Sequence, residues 1–148
     1  MITNRETIGA MLTRIGGCLG KKFTLDSQGA LTLSYAGNRS CVFAAQDGFR
    51  PRIGMTTSLI SGATDDQILR ASLMNANLER ASGVLALDSA GALVFTAARD
   101  AEDLSQEELA HFLSDFMRVS IELSDALTAP KERRGRPPEA VPDGGIRC

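Results

Sequence analysis

Three short polar tetrads set the frame of this chain. Thr3-Asn4-Arg5-Glu6, Thr64-Asp65-Asp66-Gln67 and Ser105-Gln106-Glu107-Glu108 each place a hydroxyl three residues before a Glu or Gln. That is the capping-box spacing, in which hydroxyl and carboxyl or amide satisfy two orphan amides of a helix start reciprocally. Apolar residues at helical spacing follow each one. Behind the first, Ile8, Met11, Leu12, Ile15 and Leu19 form one stripe, weakened at Gly16-Gly17 and ended by Gly20. Behind the second, Ile68, Leu69, Leu73, Met74, Ala76 and Leu78 spread over more than one stripe. A helix apolar on two sides must pack against two things, and in a small protein the second is often another subunit. The third tetrad opens the best-defined helix. Leu104 and Leu109 sit where a hydrophobic staple requires them, and Leu109, Phe112, Leu113, Phe116, Ser120, Leu123 and Leu127 trace one long face beside Met117 and Ile121. Its expected length is about 22 residues, or roughly 33 Å at 1.5 Å per residue.

Between the helices the hydrophobic period changes to two. Phe23-Thr24-Leu25 and Ala30–Tyr35 flank the turn Asp26-Ser27-Gln28-Gly29, with Leu31, Leu33 and Tyr35 on one face. Ser40–Ala45 is a further strand, Asp47-Gly48 a turn, and Arg52–Ile60 another strand, with Pro51 restricting pairing at its start. A second hairpin runs through Val84–Leu87 and Ala92–Phe95. The heptad Leu25-Asp26-Ser27-Gln28-Gly29-Ala30-Leu31 recurs as Leu87-Asp88-Ser89-Ala90-Gly91-Ala92-Leu93. Convergence on the same turn chemistry accounts for it: Asp bonds the backbone and Gly takes a positive φ. The fold class is α+β.

With 148 residues, 43% hydrophobic and 23% charged, one domain can bury roughly two-thirds of its unfolded surface without a disulfide or metal staple. Cys18, Cys41 and Cys148 are odd in number and form no C-x-x-C unit. That fits a reducing compartment, with Cys18 and Cys41 read as small apolar residues. Met1–Glu6 turns polar at once and no apolar run approaches a membrane span, so neither a secretory leader nor a transmembrane helix is expected. The expected location is the cytoplasm. Residues 1–128 form the expected domain, and residues 129–148, rich in Pro, Gly and charge, an expected disordered tail. The tail carries a net +2 and leaves −4 on the body. An acidic body argues against nucleic acid as its partner.

Little chemistry is available. His111, the one histidine, falls in the last helix near Glu107, Glu108 and Asp115 and reads as a solvated or partly packed helix residue. No serine or cysteine stands in a nucleophile context, and no metal-ligand spacing occurs. Gly16–Lys22 ends a helix where a phosphate loop should open one. Asp65-Asp66 and Glu107-Glu108 occupy first turns, where acids complement the helix dipole. Neither a catalytic residue nor a cofactor is assigned; the chain reads as a binder of another protein. In the tail, Arg133, Arg134 and Arg136 surround the Arg-Gly-Arg-Pro core of an AT-hook. The alternative reading is therefore a DNA-associated regulatory protein, against a solubilising or assembly-contact tail. Its binding would be weak and salt-dependent.

From Ala63 to Leu127 the order becomes specific. A capped helix carries Ile68-Leu69 and ends in Met74-Asn75-Ala76-Asn77-Leu78. Val84–Asp88, Gly91–Phe95, an acidic loop, and a helix containing Leu109, Phe112, Leu113 and Phe116 follow. This resembles the class I type III secretion chaperones, the Tir-chaperone-like family, over residues 1–128. The resemblance implies an α-β-β-β-α-β-β-α sandwich, an antiparallel sheet with helices packed on it, and a homodimer. It implies a client, the N-terminal segment of a secreted effector, held extended and competent for the secretion ATPase without nucleotide. By the same likeness Ile8, Met11, Leu12, Ile15, Leu31, Leu33 and Val42 are expected at the effector, by pocket filling and β-augmentation. Leu69, Leu73, Ala76, Leu85, Leu87 and Val94 are expected at the dimer contact. The basic tail is outside the family pattern, and Phe116 stands where relatives often carry another aromatic.

Overall fold

A computed structural model describes residues 4–37, 39–77 and 83–128. The chain runs α1 (Arg5–Cys18), β1 (Ala30–Tyr35), β2 (Arg39–Gln46), β3 (Arg52–Ile60), α2 (Asp65–Asn77), β4 (Gly83–Leu87), β5 (Leu93–Asp100) and α3 (Gln106–Thr128). The five strands form one sheet in the order β1-β2-β3-β5-β4, antiparallel throughout. This is the α+β order expected from the resemblance.

Two of the three capping boxes form as read. At α2, Thr64 Oγ1 accepts from Gln67 N at 3.2 Å while Gln67 Oε1 accepts from Thr64 N at 2.9 Å. At α3, Ser105 Oγ accepts from Glu108 N at 3.1 Å and Glu108 Oε1 accepts from Ser105 N at 3.0 Å. The first start is different. Thr3 lies outside the described residues, and Asn4 caps α1, its Oδ1 accepting from Thr7 N at 2.9 Å. An Asn one residue later offers the same acceptor at the same reach. The other end of α1 closes as a Schellman motif. Lys21 N donates to Gly16 O at 2.8 Å and Gly20 N to Gly17 O at 3.2 Å, around Gly20 at φ +68°.

That closure explains why the expected strand Phe23–Leu25 is absent. The chain leaves the helix pointing back along it, and Thr13 Oγ1 donates to Phe23 O at 3.5 Å. Phe23 and Leu25 are half-buried against the core without joining the sheet. Their two-residue period was a packing signal, not a ladder. The repeated heptad, in contrast, folds twice into one turn. Asp26 Oδ1 accepts from Gln28 N (2.8 Å) and Ala30 N (3.0 Å), and Asp88 Oδ1 from Ala90 N and Ala92 N (both 2.9 Å). Gly29 and Gly91 supply φ of +80° and +82°. At Gly29 a Cβ would also meet Ala45 O at 2.5 Å, so the turn needs glycine twice over.

The sheet has one covered face. Leu33, Cys41, Phe43, Ala45, Ile53, Met55, Leu93, Phe95 and Ala97 point inward and are buried. Onto them pack Ile8, Met11, Leu12 and Ile15 of α1, and Leu109, Leu113, Phe116 and Leu123 of α3. Phe95 and Phe116 stack at 5.1 Å. A smaller cluster joins Ala71 of α2 to Leu93 and Leu127. The opposite face carries Thr32, Ser34, Val42, Thr56, Ser58 and Ala98, all exposed. No helix among the described residues covers it. Cys41 fills the small apolar role read for it; Cys18 does not, being exposed on the last turn of α1.

Phe43 has no exposed surface and sits on the inner strand β2, in the layer that both helices cover. Phe43→Ala is expected to cost about 3–5 kcal/mol of folding free energy. Urea unfolding followed by circular dichroism measures it; a loss under 1 kcal/mol would mean that the two layers are not packed as described.

Candidate functional site

The structure divides the expected contact residues into two populations. Ile8, Met11, Leu12, Ile15 and Leu33 are buried in the main core. They present little side-chain surface in this conformation: the stripe expected as a binding face seats α1 on the sheet. Leu31 is half-buried on the edge strand β1, and Val42 stands on the open face of the sheet, 45% exposed. These two remain available.

Several of the residues expected at a dimer contact are exposed on α2 and on the β4 edge of the sheet. Leu69 and Leu73 of α2 are 58% and 57% exposed, and Leu87 of β4 is 53% exposed. Leu85 and Val94 are half-buried on the paired strands β4 and β5. Ala76 lies in α2, but its side chain is outside the described residues. Val84, at the start of the hairpin expected at that contact, is 63% exposed on edge strand β4 and, alternating with Leu85, faces the other way. The cause of the exposure is local. α2 spends Ala71 on its contact with Leu93 and Leu127, and the remaining leucines of its broad apolar surface have no layer left to cover them.

The polar groups are arranged for structure. Arg39 pairs with Asp125, joining the start of β2 to the end of α3. Tyr35 Oη and Ser120 Oγ are hydrogen-bonded at 2.7 Å beside a cleft of about 290 Å³ that Ser40, Thr57 and Ser124 also line. Burial raises the Tyr35 phenol, partly offset by the Ser120 bond, and burial pushes the Cys41 thiol up to about 12, so this thiol stays protonated. His111 is 66% exposed, its Nε2 4.0 Å from Glu107. It lines a shallow cleft with Arg99, Asp100, Phe112 and Asp115, and no nucleophile stands against it. Among the described residues no His, Cys, Asp and Glu side chains converge as a metal site, and no helix is long and apolar enough to cross a membrane. Arg133, Arg134 and Arg136 lie outside the described residues.

Two carboxyls are shifted. Backbone N–H donation from Ala30 and Gln28 holds Asp26 below its ordinary value, and donation from Ser105 N and Oγ, with Arg99 behind it, holds Glu108 below its own.

The profile of the Tir chaperone protein (CesT) family matches residues 10–124. Among solved structures the fold is similar to one in the crystal structure of the ExsC–ExsE complex, with a TM-score of 0.65 at 14% identity, covering 94% of this chain and 100% of that one. It is similar also to one in the HopA1–SchA chaperone–effector complex (0.62, 16% identity, 82% and 96% covered). A third is in the ExoU–SpcU heterodimer from the type III secretion system of Pseudomonas aeruginosa (0.56, 21% identity, 83% and 98% covered). At these identities the likeness is one of fold. No curated protein sequence matches.

The depressed carboxyls set an acid limit. A group whose folded pKa lies below its unfolded one stabilises the fold above the unfolded value and loses that contribution as pH falls through the folded value. Stability is therefore expected to fall below about pH 4. Asp26→Asn combined with Glu108→Gln, which keeps acceptors in both places, should flatten that part of the profile. Urea midpoints at pH 7 and pH 3 test it, and an unchanged slope in the double variant would refute the assignment.

Proposed function

The chain belongs to the Tir chaperone (CesT) family, and from that premise we propose that it is a type III secretion chaperone. It binds the N-terminal chaperone-binding region of a secreted effector and keeps that segment soluble and extended in the cytoplasm until export. The observation that carries this reading is the family match across 10–124, which runs from within α1 to within α3 and takes in α2 and the whole sheet. The ExsC–ExsE and HopA1–SchA pairs are complexes of similarly folded proteins, and the latter is a chaperone with its effector. The proposed work is binding alone, without catalysis or a cofactor, and handing the client to the secretion ATPase belongs to the same reading.

The physics of the surface supports it. A client held without a fold of its own needs apolar contacts and main-chain partners. Leu31, on an edge strand, and Val42, on the uncovered face, supply them without disturbing the core. The core residues Ile8, Met11, Leu12, Ile15 and Leu33 pack in the layer beneath. Leu69, Leu73 and Leu87 are then the centre of the homodimer contact, flanked by Leu85, Val94 and Ala76. Burying each leucine there contributes about 1.5–3 kcal/mol at most, so a few of them decide the assembly.

Two experiments separate the two surfaces. Leu69→Asp with Leu73→Asp should halve the molar mass measured by light scattering while leaving the circular dichroism spectrum unchanged. Val42→Asp should leave the mass alone and weaken capture of a co-expressed effector N-terminal segment by about tenfold or more, equivalent to one desolvated anchor. A wild-type protein that captures and shields no such segment from protease would overturn the proposal.

A further inference from the structure

One side chain breaks the rule that the large apolar groups of this protein lie against something. Phe49, in the β2–β3 connection, is 100% exposed, whereas Phe43, Phe95, Phe112 and Phe116 are buried and Phe23 is half-buried. A Phe among Gly48, Arg50 and Pro51 has no strand or helix to turn it inward. The loop is nevertheless fixed at both feet. Asp47 Oδ1 accepts from Arg5 N at 2.7 Å at one foot, and at the other Pro51 O accepts from Ala101 N at 2.9 Å and Arg52 pairs with Asp100 at 3.4 Å. Phe49 and Arg50 are thus held out from a pinned base.

Charge distinguishes the two. Arg5, Arg52 and Arg99 around this end of the sheet each have a carboxylate: Asp47, Asp100 and Glu108. Arg50 has none among the described residues. An uncompensated cation beside a bare aromatic, on a body that is otherwise acidic, is the pairing that interfaces concentrate at their anchors. Position separates the loop from the proposed dimer contact. β5 runs from Leu93, against which α2 and Leu87 lie, to Asp100, against which Arg52 lies. Seven residue steps at about 3.3 Å put the loop roughly 23 Å from the proposed dimer contact. It stays free when that contact forms, and a two-fold dimer would display it twice.

We propose that Phe49 and Arg50 form a docking tip for a third protein, one presenting an apolar socket rimmed by carboxylates, which receives the chaperone with its client aboard. This rests on the secretion-chaperone reading and adds a surface to it. The socket takes the ring, whose burial supplies the affinity, and the acidic rim neutralises Arg50, which orients the approach.

The test uses the full chain in a secretion-active strain. Phe49→Ala and Arg50→Glu should each leave dimer mass and client capture at wild-type levels while lowering client export by about tenfold or more, the loss of an anchor residue. A photo-crosslinking phenylalanine analogue at position 49 should join the chaperone to one protein that is neither the client nor a second copy, and Arg50→Glu should remove that product. Wild-type export by both variants, or crosslinking at position 49 only to the client or to another copy, would overturn the docking tip while leaving the chaperone reading intact. Failure of the wild-type chain to capture any client would instead strike the reading beneath it.

Discussion

The contact on which the rest of this structure depends is that between α3 and the inner face of the sheet. Leu109, Leu113, Phe116 and Leu123 lie along one side of the helix at i, i+4, i+7 and i+14, and all are buried. Phe116 stacks on Phe95, the middle of a strand paired on both sides, so the longest helix is anchored on the part of the sheet least able to move. α1 completes the same layer, and α2 reaches it through Ala71, which meets Leu93 and Leu127. Take α3 away and α1 and α2 lose a shared neighbour in that layer.

Covering one face of an antiparallel sheet is sufficient for stability, and it leaves the other face to water. The protein tolerates this because the open face is mostly Ser, Thr and Ala, with Val42 an exception. It tolerates less easily the leucines of α2. Those are the price of a helix that is broader in its apolar surface than the layer it joins, and an intermolecular contact is the economical way to cover them. The helix-covered core and the exposed leucines of α2 thus come from the same arrangement of layers.

Much of the fold was legible in the sequence. The starts of α2 and α3 were readable to the residue because a capping box is chemistry between positions three apart, and no distant contact is needed to define it. Turns at Asp26–Gly29 and Asp88–Gly91 were readable for the same reason, and their seven-residue likeness in sequence became an identical set of hydrogen bonds. Phe23–Leu25 was misread because alternation alone does not say whether a neighbour exists to pair with. The contact residues were the hardest. Leu12 and Leu69 look alike in a helical stripe, yet one has no exposed surface and the other is 58% exposed.

What the sequence by itself determined, then, is where helices begin, where the chain turns and which strands alternate. Each of these follows from residues within a few positions of one another. What only the tertiary structure decided is which apolar side chains are spent on the core and which are left over. α1 has a sheet beneath it and buries its stripe; α2 has only the small cluster at Leu93 and shows two leucines to solvent; Phe49 has nothing beneath it at all. The physical reason is that burial is a property of pairs of surfaces, and the partner surface of each residue lies far away in the chain.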